Sequence, residues 1–350
     1  MIAIPGNSEG TRNITRIERY FPECFAAAVE SVAKTLFGFS DFGKIYGRHT
    51  FHFQKPSGTI AFKENQIDLD LNFHCVPLAQ SEICSRIESI YGIVISQVEF
   101  HDYEGFWNFC LQSIEENTPF ISDFSIACVK GRREYHKDFS PHNIVIFAHD
   151  ADKRQIHSVE QVLGFTSISY EDLSLGFESY RSCMGEFLCF KLSLSERGER
   201  NLVPSEILSE IDSNLENLNS PLGSMGLRGL LAFRNGLADY LASPSFSGKP
   251  FSIPGMWVFA HERHFTRKWL RHVGALFPGD GERDFFNEFD ELFIRLHKSW
   301  LHIDFLVEKC LIAGLSKGLE KLPAYLDSIL ALEMDAEKRW RKLRALVSSL

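Results

Sequence analysis

A chain of 350 residues, 44% hydrophobic and 13% aromatic, is long enough for two domains with cores of their own and too apolar to be disordered. Its formal net charge of −9 argues against nonspecific nucleic-acid binding. Met1 to Gly10 lacks a basic region followed by an apolar stretch, and no window approaches about 18 uncharged apolar residues, so neither a signal peptide nor a membrane span is expected and a cytoplasmic location follows.

The first predicted element follows Phe21-Pro22-Glu23-Cys24. Pro22 suits a first helical turn, and Phe25, Ala28, Val29, Val32, Ala33, Leu36 and Phe37 recur with the rhythm of one buried helix face before Gly38 supplies a stop. Cys24 thus sits in the first turn of an amphipathic helix. There the unpaired N–H groups and the positive end of the helix dipole lower a thiol's pKa, although Glu23 works against this. The competing reading is packing: cysteine is often buried, and most of the eight cysteines must be core residues.

Strand-like stretches follow at Thr50–Phe53 and Thr59–Phe62, then a strand at Asp68–Phe73, a helix at Leu78–Tyr91, a strand at Ile93–Phe100 and a helix at Tyr103–Glu115. That last helix gathers Phe106, Phe109, Cys110 and Ile114 on one side, which makes Cys110 a core residue. Strands are then expected at Phe120–Val129 and Asn143–Ala148, the second headed by His142. A helix-start cysteine facing a histidine at the head of a later strand is the arrangement papain-like enzymes use. The imidazole takes the thiol proton and later protonates the leaving group.

The residue that orients such an imidazole should lie on the hairpin partner Gln155–Gln161, with Glu160 the first choice and Gln161 and Asp150 as competitors. An oxyanion would be held by the Cys24 backbone N–H and a polar side chain upstream, where Glu18, Arg19 and Tyr20 lie and no Gln occurs. The polar stretch Ser193–Asn201 marks a domain boundary, giving an α+β domain over 1–195 and a mostly α-helical domain over 196–350.

At the Cys24 helix, the tract Tyr135–Asp150 and Ser169-Tyr170-Glu171-Asp172-Leu173, the chain resembles the butirosin biosynthesis protein H family. More loosely, Gly226-Leu227-Arg228-Gly229-Leu230-Leu231 resembles the start of that family's second domain. The resemblance implies a papain-like or leader-peptidase-like N-terminal domain in antibiotic and other secondary-metabolite biosynthesis. In it Cys24 would carry an acyl group taken from an acyl carrier protein thioester, and His142 would be its base. Tyr20 stands where the family often has a histidine, and Ala148-His149-Asp150 where it often has Gly-Tyr-Asp.

Thirteen histidines raise the question of a metal, but His261-Glu262-Arg263-His264 and His297–His302 lack a convergent third ligand, and Arg263, Arg267 and Lys268 surround the first group. Neither a metal nor a cofactor is expected. The glycines of Gly43–Gly47 and Gly223–Gly226 lack the strand–loop–helix context of a phosphate site. Two local basic stretches, His261–His272 and Glu337–Arg344, could dock an acidic carrier protein or be solvated helix faces; Trp340 within the second favours an interface. The reading is a cysteine-dependent acyltransferase with a small-molecule amine acceptor. A thioesterase or peptidase, and a noncatalytic binding protein of the same fold, are the alternatives.

Overall fold

Where small residues fill a helix, neighbours approach it from every side, and α1 (Cys24–Phe37) is built that way around Ala26, Ala27 and Ala28. The computed structural model describes residues 9–10, 14–16, 24–39, 41–51, 62–63, 66–67, 80–132, 135–137, 139, 141–243, 246, 248, 250–251, 253 and 256–350. It divides into two compact units, one of Met1–Phe42 with Leu78–Arg200, the other of Gly43–Pro77 with Asn201–Leu350. The expected division at 195/196 is therefore corrected. The later boundary falls at the end of the polar stretch, and 43–77 belong to the helical unit.

In chain order the elements after β1 (Glu9–Gly10) and α1 are β2 (Phe62–Lys63), β3 (Gln66–Ile67), α2 (Gln80–Tyr91), β4 (Ile93–Glu99) and α3 (Tyr103–Glu115). Then come β5 (Phe120–Ser125), β6 (Pro141–Asp150), β7 (Gln155–Glu160), β8 (Gly164–Ser169), α4 (Tyr170–Met184) and β9 (Leu188–Leu194). The helical run comprises α5 (Pro204–Leu218), α6 (Gly226–Ala242), α7 (Met256–Gly274), α8 (Asp280–Ala313) and α9 (Leu322–Val347). The strand expected over Phe120–Val129 stops at Ser125, where the chain tightens into a 3-10 turn over Ile126–Cys128. Asp68–Phe73 lies outside the described residues, as do all but Phe62 of Thr59–Phe62 and the last two residues of Thr50–Phe53.

The first unit is α+β. Its strands run β4-β9-β5-β6-β7-β8, all antiparallel, and β1 adds to β6. On α1 every residue from Phe25 to Ala33 is buried, Glu30 and Ser31 included, so the single apolar face read from periodicity is corrected to a helix enclosed all round. The two polar groups are satisfied locally. Glu30 accepts from the Phe42 N–H at 2.9 Å and pairs with Lys34, and Ser31 donates to the Thr15 carbonyl. Phe25 meets Phe190 of β9 edge-on at 4.9 Å, which seats the helix start against the sheet. The expected stop is present: Gly38 has φ +73° and returns its N–H to the Lys34 carbonyl at 3.2 Å. Across the sheet, Phe106 and Cys110 of α3 and Phe177 of α4 pack with Phe120, Phe124, Ile144 and Ile146, so Cys110 is a core residue.

In the second unit, Thr50 and Phe51 form no strand, because side chains take their backbone groups. Glu262 accepts from the Thr50 N–H, Asn217 from the Phe51 N–H at 3.0 Å, and Asn214 from the His49 N–H at 2.7 Å. Beneath them Glu333, 1% exposed, accepts from Arg263 Nη2 at 2.8 Å and from Trp300 Nε1 at 3.2 Å, and pairs with His49 Nε2. Trp340 donates to His49 Nδ1 at 2.7 Å, so that nitrogen carries no proton and the Nε2–H points at Glu333. Two expectations change here. Trp340 is a wholly buried core residue rather than an interface residue. The C-terminal basic run is largely neutralised: Arg339 pairs with Glu288 and Asp335, Arg341 with Glu337, and Arg344 with Asp212.

Burial would push the Glu333 carboxyl up, but Arg263 and His49 outweigh it and hold it at about 2, while burial lowers His49. Both shifts make the unfolded chain take up protons first as pH falls. The stability they contribute is whole above about pH 6.5 and drains away toward pH 2. Replacing Arg263 with Met should cost about 3–5 kcal/mol, since it leaves Glu333 buried without its cation. Urea denaturation at pH 7 would measure this, and a loss below about 1 kcal/mol would show that the network carries little net stability.

Candidate active site

Cys24 is the first residue of α1, half-buried, with its thiol donating to Asn143 Oδ1 at 3.3 Å. The Phe25 and Asn143 backbone N–H groups also reach the sulfur. His142, the second residue of β6, interacts with the same thiol. Neighbouring strand residues point to opposite faces, so His142 and Asn143 can both meet one sulfur only where it sits off the end of the strand.

His142 Nε2 lies 3.3 Å from Glu160 Oε2, an ion-pair contact. Glu160 ends β7, fully buried. Its carboxylate accepts from the Val162 N–H at 2.9 Å and from the Leu163 N–H, and Arg132 Nη1 stands 3.7 Å away. The tight β7–β8 turn, closed where Glu160 faces Gly164 at φ +77°, therefore clamps the carboxylate that faces the imidazole. Gln161 is the next residue of that turn. Asp150 ends β6, roughly 25 Å along the strand from His142, where it accepts from the Lys153 N–H and pairs with Lys153 Nζ. Of the three candidates, the structure brings Glu160 to His142. Glu18, Arg19 and Tyr20 lie outside the described residues.

Burial alone would raise the Cys24 thiol, but the hydrogen bond and charge of His142 together with the two backbone N–H groups hold it below its ordinary value. Burial alone would lower His142, and the sulfur and Glu160 push it up to about 9. Glu160 is held down by His142, by the turn N–H groups and by Arg132, against burial. The lowering of the thiol and the raising of the imidazole both favour passage of the thiol proton to His142. Burial pushes the thiols of Cys84, Cys110, Cys128, Cys189 and Cys310 the other way, Cys128 to about 11.

Sequence reasoning missed Asn143 and Asp123. Asp123 of β5 sits directly opposite Asn143 in the β5–β6 ladder and accepts from Asn143 Nδ2 at 2.8 Å. It is 6% exposed, and burial lifts its carboxyl to about 7 against the hydrogen bonds from Asn143, the Leu188 N–H and Tyr180. The available signal was a lone carboxylate inside Phe120–Ser125, a stretch that otherwise reads as core strand. Of the residues in the two histidine groups, Glu262 accepts from the Thr50 N–H and His297 Nδ1 lies 2.7 Å from the Ala260 carbonyl. No group of three metal-ligating side chains occurs among the described residues. No family model matches the chain, and no curated protein matches it.

Replacing Glu160 with Gln keeps the shape and removes the charge beside the imidazole. His142 should fall from about 9 by one to three units, and the thiolate fraction of Cys24 should fall with it, so alkylation at pH 7 slows. Histidine NMR titration with iodoacetamide kinetics would check both, and an unmoved His142 would remove Glu160 from the site.

Proposed function

We propose that this protein is a cysteine-dependent acyltransferase on a papain-like α+β domain, related to the butirosin biosynthesis protein H family. One observation carries the reading: a helix-start thiol held below its ordinary pKa by an imidazole that a buried carboxylate orients. Five other cysteines of the same chain are shifted upward, so a lowered thiol is not a general property of its environment.

In the first half-reaction the Cys24 sulfur attacks the carbonyl carbon of an acyl thioester, and backbone N–H groups at the helix start hold the oxyanion. The C–S bond to the donor breaks, His142 gives its proton to the departing thiolate, and acyl-Cys24 remains. In the second, an amine attacks that thioester, His142 takes the ammonium proton, and the Cys24 thiolate leaves. Glu160 keeps the imidazole in place and its cationic form stable through both steps. The resemblance supplies the donor, a carrier-protein thioester, and the amine acceptor. Because Arg339, Arg341 and Arg344 are already paired with carboxylates, carrier docking does not rest on the charge of that helix. No helix among the described residues is long and apolar enough to cross a membrane.

Mixing the protein with a small acyl thioester should add one acyl mass to the peptide containing Cys24, with none in Cys24→Ala, whose fold should be unchanged because the residue is half-buried. His142→Ala should slow acylation about 10²–10⁴-fold. Adding an amine before quenching separates transfer from hydrolysis. Release of free acid alone would make the protein a thioesterase, and acyl mass on another cysteine would end the Cys24 assignment.

A further inference from the structure

The hydrogen bonds around Asn143 fit a Cys24 that still carries its proton. The thiol donates to Oδ1 at 3.3 Å and Nδ2 donates to Asp123 Oδ1 at 2.8 Å. Once Cys24 ionises, Oδ1 faces an anion with nothing to accept. A half-turn of the amide exchanges its oxygen and nitrogen without moving any other atom, and it gives the thiolate an N–H donor. The same half-turn sets the amide oxygen against Asp123, which is unfavourable toward a carboxylate and favourable toward a carboxylic acid. Asn143 therefore cannot serve a thiolate and an ionised Asp123 at once.

We infer that Asp123 is a positioning residue that acts on Cys24 through Asn143. Uptake of a proton by Asp123 turns the amide and exchanges its bond to the thiol for a bond to the thiolate. The inference rests on Cys24 being the nucleophile and adds a group to that reading. The protons balance: the Cys24 proton goes to His142, the Asp123 proton comes from solvent, and the Asn143 amide keeps both of its own.

The surroundings suit the role. Asp123 is 6% exposed, faces Asn143 of β6, accepts from the Leu188 N–H and the Tyr180 hydroxyl, and has Glu186 and Cys189 as its other titratable neighbours. Asn143 meets Cys24 at its other end, with His142 beside it. A carboxyl lifted to about 7 changes charge near neutral pH. Below that range Asp123 is neutral and the thiolate gains a hydrogen bond; above it Asp123 is charged and the amide opposes the thiolate. The two ionisations hinder each other, so Cys24 should titrate over a wider pH span than one isolated group.

The test is the Cys24 pKa, read from thiolate ultraviolet absorbance against a Cys24→Ala blank. Asp123→Asn removes the charge and can partner the amide in either orientation, so it leaves Asn143 free to turn toward the thiolate and should lower the Cys24 pKa by about one unit and narrow its titration. Asn143→Leu removes the donor and should raise it by about one to two units. A through-space charge effect of Asp123 would survive the loss of Asn143. The relay requires instead that adding Asp123→Asn to Asn143→Leu changes nothing further, and an equal shift in both backgrounds overturns it. Should these variants not fold, carbon-13-labelled aspartate in the intact chain reads the same coupling from the other end. Replacing Cys24 with Ala should lower the Asp123 midpoint, and an unmoved midpoint overturns the relay. A Cys24 of ordinary thiol pKa in the unaltered protein would end the acyltransferase reading and the relay together. A low Cys24 pKa that the variants leave unmoved would end the relay alone.

Discussion

The register in which β5 meets β6 sets Asp123 opposite Asn143 and Phe124 opposite His142, and the site is assembled from that one alignment. Side chains alternate along a strand, so a slip by one residue would send Asn143 away from its carboxylate and expose the Ile144–Ile146 face that packs beneath α3 and α4. The apolar core is thereby what makes the polar alignment affordable to keep: Phe120, Phe124, Ile144 and Ile146 specify the register, and the titrating pairs follow it. Gly176 belongs to the same constraint, since a side-chain carbon there would stand 2.3 Å from the Phe124 ring and push α4 off the strand.

Two buried carboxylates show how differently the same group can be held. Glu333 has a guanidinium, an indole N–H and an imidazole around it, and stays ionised to about pH 2. Asp123 has an amide, a phenol and a backbone N–H but, among the described residues, no cation beside it, and its carboxyl rises to about 7. Hydrogen bonds alone do not offset burial here, whereas a buried cation does. The first arrangement serves to fix structure and the second serves to respond. Glu160 lies between them, with turn amides in contact and the Arg132 cation farther off, which suits a carboxylate that must remain charged opposite an imidazolium.

Much of this was legible in the sequence because the signals were local. The helix at Cys24, its glycine stop, the strand behind His142 and the hairpin ending at Glu160 each follow from residue type and spacing over fewer than a dozen positions. β8, α4 and β9 were not anticipated, although Ser169 caps α4 by accepting from the Asp172 N–H at 3.0 Å and Leu188, Phe190 and Leu192 alternate along β9. What spacing could not reveal was pairing across distance. That β9 inserts between β4 and β5, that Asp123 faces Asn143, and that His49 reaches Trp340 are facts of topology. The Trp340 reading failed for a related reason: a basic run suggests an exposed face, but on a helix every third or fourth residue turns inward, and this one turned toward His49.

The helical unit is discontinuous, with 43–77 separated from the rest of it by the whole of Leu78–Arg200. His49 and its partner Glu333 are 284 residues apart. On a ribosome adding about 5–20 residues per second, the segment around His49 waits roughly 15 to 60 s before α9 exists to receive it. Synthesis thus imposes an order of events on this chain: the sheet around Cys24 can close while the helical unit is still unmade, and the His49 contact waits for α9.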